Sequence, residues 1–129
     1  MATSAPGDVH GVLVLDKTSG PTSHDVVAVA RRALGTRQVG HTGTLDPMAT
    51  GALVLVVGEA TKLVNLLGAQ SKAYRASLQL GLATSTLDAE GEPLETRPVP
   101  ALSLSEVQLA ARRFCGEIEQ RAPLVSAIK

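Results

Sequence analysis

Two short runs of consecutive apolar residues constrain the fold of this chain more than any other feature. The first run is Val12-Leu13-Val14-Leu15, and the second is the LVLVV segment of residues 53–57. Both runs are shorter than a typical helix, and they are rich in valine, which favours extended backbone. A continuous apolar run bounded by turn residues is typical of a buried strand. Each run is therefore predicted to be a buried β-strand.

A helix is predicted between these two strands. Thr22 followed three residues later by Asp25 matches a capping box, in which the hydroxyl and the carboxylate bind each other's backbone N–H. The helix should continue to Leu34 and stop at Gly35, a residue type suited to the left-handed backbone that ends helices. Its core-facing side is predicted to comprise Val26, Ala30, Ala33 and Leu34.

A short helix, a strand and a turn are predicted in the middle of the chain. Residues 59–67 should form a helix that ends at Gly68. Apolar and polar residues alternate over residues 73–80, with Tyr74 on the apolar side, which predicts a strand. Polar residues 84–93 are predicted to form a turn.

The last part of the chain predicts one helix and two strands. Ser105 is predicted to cap a helix that runs to Cys115, and residues 116–120 and 124–128 are plausible short strands. Because the helices and strands do not alternate regularly, the predicted class is α+β with a mixed or mostly antiparallel sheet and flanking helices. Residues 1–9 are expected to be a flexible tail, and residues 10–129 a single domain.

The composition narrows the possible functions. Hydrophobic residues make up 44% of the chain and charged residues 19%, which favours a folded protein. Aromatic residues are only 2%, Tyr74 and Phe114, which argues against an RNA-binding sheet with a row of stacking aromatics. The net charge is zero, but residues 17–75 carry seven Lys or Arg and three Asp or Glu, a net charge of +4. Local positive charge is a weak indication of a polyanionic partner.

Other residue types give expectations about metals, disulfides and location. Cys115 is the single cysteine, so a disulfide framework is excluded. The three histidines and this cysteine lack metal-ligand spacing, so no metal is expected. The chain has no apolar run near the roughly 20 residues that span a bilayer, and its start does not resemble a secretion signal. A cytoplasmic protein without a membrane segment is expected.

Residues 40–51 are the most unusual segment. They contain three glycines and a single carboxylate, Asp46, which lies between Leu45 and Pro47. Pro47 has a fixed φ and keeps the preceding residue out of the helical region, so the Asp46 backbone is restricted. A rigidly displayed carboxylate suits a nucleophile or a general base. The alternative is an Asx-turn, in which the carboxylate binds a nearby backbone N–H, and the local sequence alone favours this turn. Phosphate-binding loops and the serine nucleophile elbow are excluded, because their motifs are absent.

The segment GHTGTLDPMATG of residues 40–51 resembles the catalytic loop of the TruB family, the bacterial tRNA pseudouridine-55 synthases. Three flanking segments also resemble the family in the same order: GVLVLDKTSGPTSHD, YRASLQLGLATSTLDAE and QRAPLVSAIK. The resemblance covers essentially residues 10–129. It implies a truncated pseudouridine synthase-like catalytic domain that isomerises uridine 55 in the T-loop of tRNA to pseudouridine. It also reverses the preference for an Asx-turn at Asp46.

The resemblance implies roles for individual residues. Asp46 corresponds to the family's nucleophile, and Tyr74 to the tyrosine that stacks on the target base and transfers a proton. Each has a structural alternative, because Asp46 could form a turn and Tyr74 could be part of the core. The resemblance implies no cofactor, and the reaction has no net redox change.

Four further positions correspond to substrate-binding residues. His41 matches the histidine that occupies the space left by the flipped base, and Lys17 matches a lysine beside the active-site cleft. Gly43 and Thr44 belong to the same catalytic-loop motif. His41 could instead bind backbone, and Lys17 could be a solvated loop residue. The sequence departs from the family pattern at Thr18, where a proline is usual, and in the last motif at Ala122 and Val125.

The resemblance implies the T-stem-loop of tRNA as the partner. A competing interpretation is a catalytically incomplete RNA-binding fragment of such an enzyme, because the chain is short and the family's catalytic domain continues further. A third is a small domain with a structural Asx-turn. If the chain is incomplete, we expect it to be nearly inactive alone. We also expect an exposed sheet edge near Lys129 that favours self-association.

Overall fold

The computed structural model describes residues 9–119. These residues belong to two compact units, the first ending at Ala73 and the second beginning at Tyr74. The first unit contains β1 (Gly11–Lys17), α1 (Ser23–Leu34), β2 (Val39–His41), β3 (Gly51–Val57), a 3₁₀ turn (Gly58–Leu63) and α2 (Val64–Gly68). The second contains β4 (Leu82–Thr84), β5 (Pro93–Thr96), α3 (Leu104–Ala111) and a 3₁₀ turn (Arg112–Phe114). Helices together with antiparallel strands confirm the α+β class.

The sheet of the first unit has the strand order β1-β3-β2, and both pairings are antiparallel. β3 pairs with β1 along its whole length, so Lys17 lies opposite Gly51. β2 pairs only with the second half of β3, and His41 lies opposite Leu55. The β2–β3 connection therefore starts beside the middle of β3 and returns to its first residue, next to the end of β1.

β3 is the buried strand that the sequence predicts, whereas β1 is not. Leu53, Leu55, Val56 and Val57 in β3 are all buried. Val12 and Val14 in β1 are exposed, so the prediction of a buried β1 is wrong. β1 pairs with β3 on one side only, and among residues 9–119 the face that carries these valines is left uncovered. An apolar run cannot by itself distinguish a central strand from a half-covered edge strand.

α1 has the predicted ends but a slightly different buried face. The Thr22 hydroxyl accepts from the Asp25 N–H at 3.1 Å, and the Asp25 carboxylate accepts from the Thr22 N–H at 2.8 Å. The hydrogen bonds from Thr22 lower the pKa of Asp25. Gly35 ends the helix with φ 63°, as predicted.

The apolar stripe of α1 is centred one position away from the predicted stripe. Val27 and Ala30 are buried, Val26 and Leu34 are half-buried, and Ala33 is exposed. The prediction for Ala33 is therefore wrong, because the stripe that meets the sheet follows the spacing of Val27, Ala30 and Leu34. The core of the first unit consists of this stripe packed on Val39 and β3.

The helix predicted at residues 59–67 is present in two parts. It begins as a 3₁₀ turn at Gly58 and continues as α2, which ends at Gly68 as predicted. A Cβ at Gly68 would lie 2.9 Å from the Thr42 carbonyl oxygen, so the β2–β3 connection passes close to this glycine.

The second unit contains a short hairpin and a helix. β4 and β5 pair antiparallel on either side of the predicted polar turn. The strand predicted over residues 73–80 is not formed, and Tyr74 is 72% exposed. Alternation predicts which residues share a face, but a strand also needs a hydrogen-bonded neighbour. Within the described part of the chain these residues have none.

The helix of the second unit starts two residues earlier than predicted. Ser103, not Ser105, is the N-cap of α3, and it forms a capping box with Glu106. The Ser103 hydrogen bonds lower the pKa of Glu106. The α-helix ends at Ala111 and a 3₁₀ turn follows to Phe114, before the predicted end at Cys115. Residues 116–119 are not a strand, and the strand predicted at 124–128 lies outside the described residues, as does the edge at Lys129.

Candidate active site

Asp46 lies in the loop that connects β2 to β3, which we call the Asp46 loop (residues 42–50). Its side chain is exposed. The carbonyl oxygen of Asp46 accepts from the Ala49 N–H at 3.0 Å, so residues 46–49 form a backbone turn. Among residues 9–119, no hydrogen bond or ion pair engages the Asp46 carboxylate. The Asx-turn favoured by the local sequence is therefore wrong for this part of the chain.

Lys17 holds the end of the Asp46 loop. It is the last residue of β1 and only 2% exposed, so the alternative of a solvated loop residue is wrong. Its Nζ donates to the carbonyl oxygens of Thr18 at 3.0 Å, Pro47 at 3.1 Å and Ala49 at 2.8 Å. A buried ammonium is costly unless its donors are satisfied, and these three bonds use all of them. Lys17 therefore fixes the backbone on the carboxyl side of Asp46.

Ser23 holds the other side of the same loop. It is 2% exposed, and its hydroxyl donates to the Leu45 carbonyl oxygen at 3.1 Å. The same hydroxyl accepts from the Leu45 N–H at 2.9 Å. In addition, the Gly20 N–H donates to the Pro47 carbonyl oxygen at 2.8 Å.

Sequence analysis missed Ser23 and Gly20 as site residues. A usable signal existed for Ser23, because the helix start carries two adjacent hydroxyls and only one of them can be the N-cap. Lys17 and Ser23 are the two buried polar side chains in the described part of the chain, and both bind the Asp46 loop. The buried polar groups of the first unit thus converge on the residues that flank one free carboxylate.

His41 is the last residue of β2 and lies at the start of the Asp46 loop. Its ring is half-buried and meets His24 edge to face, with ring centroids 6.2 Å apart. Nδ1 of His41 is buried and has no hydrogen-bond partner among the described residues, so the expected alternative of a backbone bond is not formed by this atom. Gly43 and Thr44 follow in the loop, half-buried and exposed respectively.

Tyr74 is the first residue of the second unit. Its exposure means that the alternative of a core tyrosine is wrong. The structure thus brings Lys17, His41, Gly43, Thr44 and Asp46 together in the first unit. Tyr74 belongs to a separate unit.

The described residues show neither a metal-binding cluster nor a membrane-spanning helix. Within residues 9–119, no group of three or more His, Cys, Asp or Glu side chains is placed to hold a metal ion. The helices of that same range are all too short or too polar to cross a membrane. The expectation that the chain uses no metal stays a prediction.

Comparison with known proteins extends these observations. The family model described as "TruB family pseudouridylate synthase (N terminal domain)" matches residues 31–129. Curated relatives named "tRNA pseudouridine synthase B" include that of Nocardia farcinica, 56% identical over 92% of this chain. The same-named protein of Xanthomonas campestris pv. campestris is 51% identical over 94% of this chain. The chain spans about 39% of the length of both relatives.

A solved structure is also similar. A crystal structure of a Cbf5–Nop10–Gar1 complex contains a chain that is 30% identical to this one with a TM-score of 0.60. The match covers 92% of this chain and 31% of that chain. The family model covers more than half of the chain, and the Asp46 loop carries the motif on which the sequence resemblance rests. This chain therefore belongs to the TruB family of pseudouridylate synthases and corresponds to its N-terminal domain.

Proposed function

We propose that this chain carries the catalytic loop of an enzyme that isomerises uridine to pseudouridine in tRNA, with Asp46 as the nucleophile. The observation that carries the proposal is the contrast between the fixed backbone around Asp46 and its unengaged carboxylate. The backbone on both sides of Asp46 is fixed by buried side chains, whereas its carboxylate is exposed and unengaged by the described residues. A nucleophile needs a fixed position and a free reacting atom. The similarity to proteins named tRNA pseudouridine synthase B supports the substrate class.

The specific substrate is proposed to be uridine 55 in the T-stem-loop of tRNA. The resemblance of residues 40–51 to the family's catalytic loop supports this choice. The net charge of +4 over residues 17–75 suits the phosphates of a folded RNA. A cytoplasmic location belongs to the same proposal, because the substrate is tRNA.

The chemistry is an isomerisation that balances without a cofactor. The N-glycosidic bond between uracil and ribose breaks, the base turns, and a bond forms between ribose C1′ and uracil C5. Asp46 attacks either C1′ of the ribose or C6 of the ring, and it leaves again when the product forms. The new bond displaces the proton on C5, and N1, which has lost its bond to ribose, gains a proton, so the reaction balances. We assign removal of the C5 proton to Tyr74.

The target base must leave its stack before it can react. This step costs a few kcal/mol, which contacts in the active site must offset. We assign base stacking to Tyr74 and filling of the vacated space to His41. Gly43, Thr44 and Lys17 are proposed to line the substrate site, and for Lys17 the contacts point to a role through the loop backbone, because its three donors are already in use.

A second candidate function is RNA binding without catalysis by this chain alone. The fact that favours it is the share of the relatives that the chain spans, about 39%. In this case the Asp46 loop is present, but residues needed for turnover lie in the part of the relatives that this chain does not match.

One experiment separates the two candidates. The chain is incubated with a T-stem-loop RNA that carries 5-fluorouridine at the target position. A stable protein–RNA adduct that is lost in Asp46→Asn supports the enzyme. RNA binding without an adduct supports the binding fragment. Asp88→Asn is the matched control, because it makes the same chemical change at another exposed loop aspartate and should leave the adduct intact.

Tyr74 is tested by two substitutions that separate its ring from its hydroxyl. Tyr74→Phe keeps the stacking surface and should lower the rate by roughly 10²–10⁴-fold, with RNA affinity nearly unchanged. Tyr74→Leu also removes the ring and should weaken RNA binding in addition. Normal turnover by Tyr74→Phe, measured as tritium release from 5-tritiated uridine, would remove Tyr74 from the mechanism.

A further inference from the structure

The Ser23 side chain makes an unusual pair of contacts. A single hydroxyl both donates to the carbonyl oxygen and accepts from the N–H of the same residue, Leu45, which lies 22 positions away. These two bonds satisfy the backbone of Leu45 in the way that a neighbouring β-strand would. Ser23 therefore takes the place of a hydrogen-bonded neighbouring strand for Leu45, the residue that directly precedes Asp46.

The helix cap and the loop contact are carried by different residues. Thr22 is the N-cap of α1, and its hydroxyl accepts from the Asp25 N–H. Ser23 is the first residue of the helix, and its hydroxyl does not cap it. A buried hydroxyl needs hydrogen-bond partners. Both partners of the Ser23 hydroxyl are backbone groups of Leu45, so this hydroxyl restrains the Asp46 loop.

Leu45 transmits this restraint to Asp46. Its side chain is half-buried and packs against the core of the first unit. Its backbone is bound on both polar groups by Ser23. On the other side of Asp46, the Pro47 carbonyl oxygen accepts from the Gly20 N–H and from Lys17 Nζ. The peptide unit that precedes Asp46 and the peptide unit that follows Pro47 are thus attached to the rigid part of the unit.

We propose that Ser23 is a positioning residue for Asp46 and acts through the Leu45 backbone. The inference rests on the proposed function and deepens it, because it assigns control of the nucleophile's position to a residue that does not touch the substrate. Ser23→Ala removes both bonds and leaves the Leu45 N–H and carbonyl without these partners. Misplacement of a reacting group by about 1 Å can cost roughly 10²-fold in rate. The expected effect is a 10- to 100-fold fall in kcat, with KM for the RNA changed less than about threefold.

The test compares two neighbouring substitutions. Ser23→Ala removes the loop contact, and Thr22→Ala removes the helix cap, so both alter the start of α1. Turnover is measured for both variants in the natural full-length chain, and the stability of each is measured by urea unfolding. We expect Thr22→Ala to lose stability while keeping kcat near the wild-type value, and Ser23→Ala to lose kcat. Equal falls in kcat for the two variants would show that Ser23 matters only for helix stability and would overturn the proposal.

A second measurement does not depend on activity. Amide hydrogen exchange at Leu45, whose N–H donates to the Ser23 hydroxyl, should be faster in Ser23→Ala than in wild type and unchanged in Thr22→Ala. Unchanged exchange in Ser23→Ala would also overturn the proposal. If wild type shows no turnover but exchange responds as expected, the proposed function fails while the loop restraint stands. If Ser23→Ala does not fold, Ser23→Cys keeps the side-chain volume with weaker hydrogen bonds and enters the same comparison.

Discussion

The tripeptide Thr-Leu-Asp occurs in two loops of this protein, and the two aspartates behave in opposite ways. In the second unit, residues 86–88 lie in the turn between β4 and β5, which we call the Asp88 turn (residues 85–92). The Asp88 carboxylate accepts from the Thr86 hydroxyl and from the Glu90 N–H, the latter at 2.9 Å. In the Asp46 loop, the same tripeptide at residues 44–46 leaves the carboxylate without a partner among the described residues.

The two leucines differ as well. Leu87 has φ 64° and is 74% exposed, a left-handed conformation that is uncommon for leucine. Leu45 packs against the core and is bound by Ser23. The Asp88 turn holds itself together with its own side chain, whereas the Asp46 loop is held by residues distant in sequence. A loop that is restrained from outside can leave its carboxylate free to react.

The strongest test of this comparison is the same substitution at both aspartates. Asp46→Asn removes the nucleophile and should lower turnover by about 10⁴-fold or more, which corresponds to about 5 kcal/mol or more of barrier. Asp88→Asn should leave turnover within about threefold of wild type, because that carboxylate is engaged by Thr86 and Glu90 within its own turn. Pseudouridine formation in tRNA is measured for both variants. Activity of Asp46→Asn within tenfold of wild type would contradict the assignment.

Because residues outside the Asp46 loop restrain it, the stability of the first unit should depend on the buried Lys17. Lys17→Met should destabilise the first unit by about 1–3 kcal/mol, because the Pro47 and Ala49 carbonyls lose a charged donor. The matched control is Lys62→Met. Lys62 is exposed and pairs with Glu59, and solvent screens such a surface pair, so its loss should change stability much less. Urea unfolding of both variants gives the two values, and similar losses would mean that burial of Lys17 is unimportant.

Replacement of Leu87 and of Leu45 by glycine should change the stability of the protein in opposite directions. Leu87→Gly should stabilise the protein by up to about 1 kcal/mol, because glycine adopts a positive φ without steric cost and little packing is lost. Leu45→Gly should destabilise it by about 2 kcal/mol, through lost burial and a more flexible backbone. Thermal unfolding of the two variants checks the signs. Destabilisation of similar size at both positions would remove the distinction between the two loops.

The smallest expected effect is a change in the pKa of Asp88, which matters at acid pH. The hydrogen bond from Thr86, followed by the one from the Glu90 N–H, lowers the pKa of Asp88. The stability contributed by a lowered carboxyl pKa is fully present above the ordinary value of about 3.9 and is lost as the pH falls through the lowered value. Thr86→Val removes the main cause and should move the Asp88 pKa upward. An NMR titration of the Asp88 carboxyl carbon measures this shift, and an unchanged pKa would refute the role of Thr86.

Features governed by neighbouring residues were predictable from the sequence. The Thr22–Asp25 capping box and the stop at Gly35 involve groups three or four residues apart, and both are confirmed. The buried strand β3 is confirmed, because it lies between β1 and β2 and its residues Leu53, Leu55, Val56 and Val57 are buried. The same approach misplaced the cap of α3 by two residues, because Ser103 with Glu106 and Ser105 with Gln108 both match a capping box in the sequence.

Features governed by distant residues were not predictable. The strand expected around Tyr74 lacks a hydrogen-bonded neighbour within the described chain, and alternation carries no information about neighbours. The Asp46 loop was misjudged for the same reason. Its local sequence favours an Asx-turn, but Lys17 and Ser23 bind it from 30 and 22 residues away. The resemblance to the family points to Asp46 but gives no indication of what restrains its loop.

The position of Lys17 at the end of β1 links the loop to the opening of the sheet. β1 is hydrogen bonded on one side only within the described sheet, and strands at such edges separate more readily than central strands. Whenever the end of β1 separates from Gly51, Lys17 leaves Pro47 and Ala49, and the Asp46 loop gains freedom. The Asp46 loop is therefore expected to be among the first parts of the unit released by transient opening.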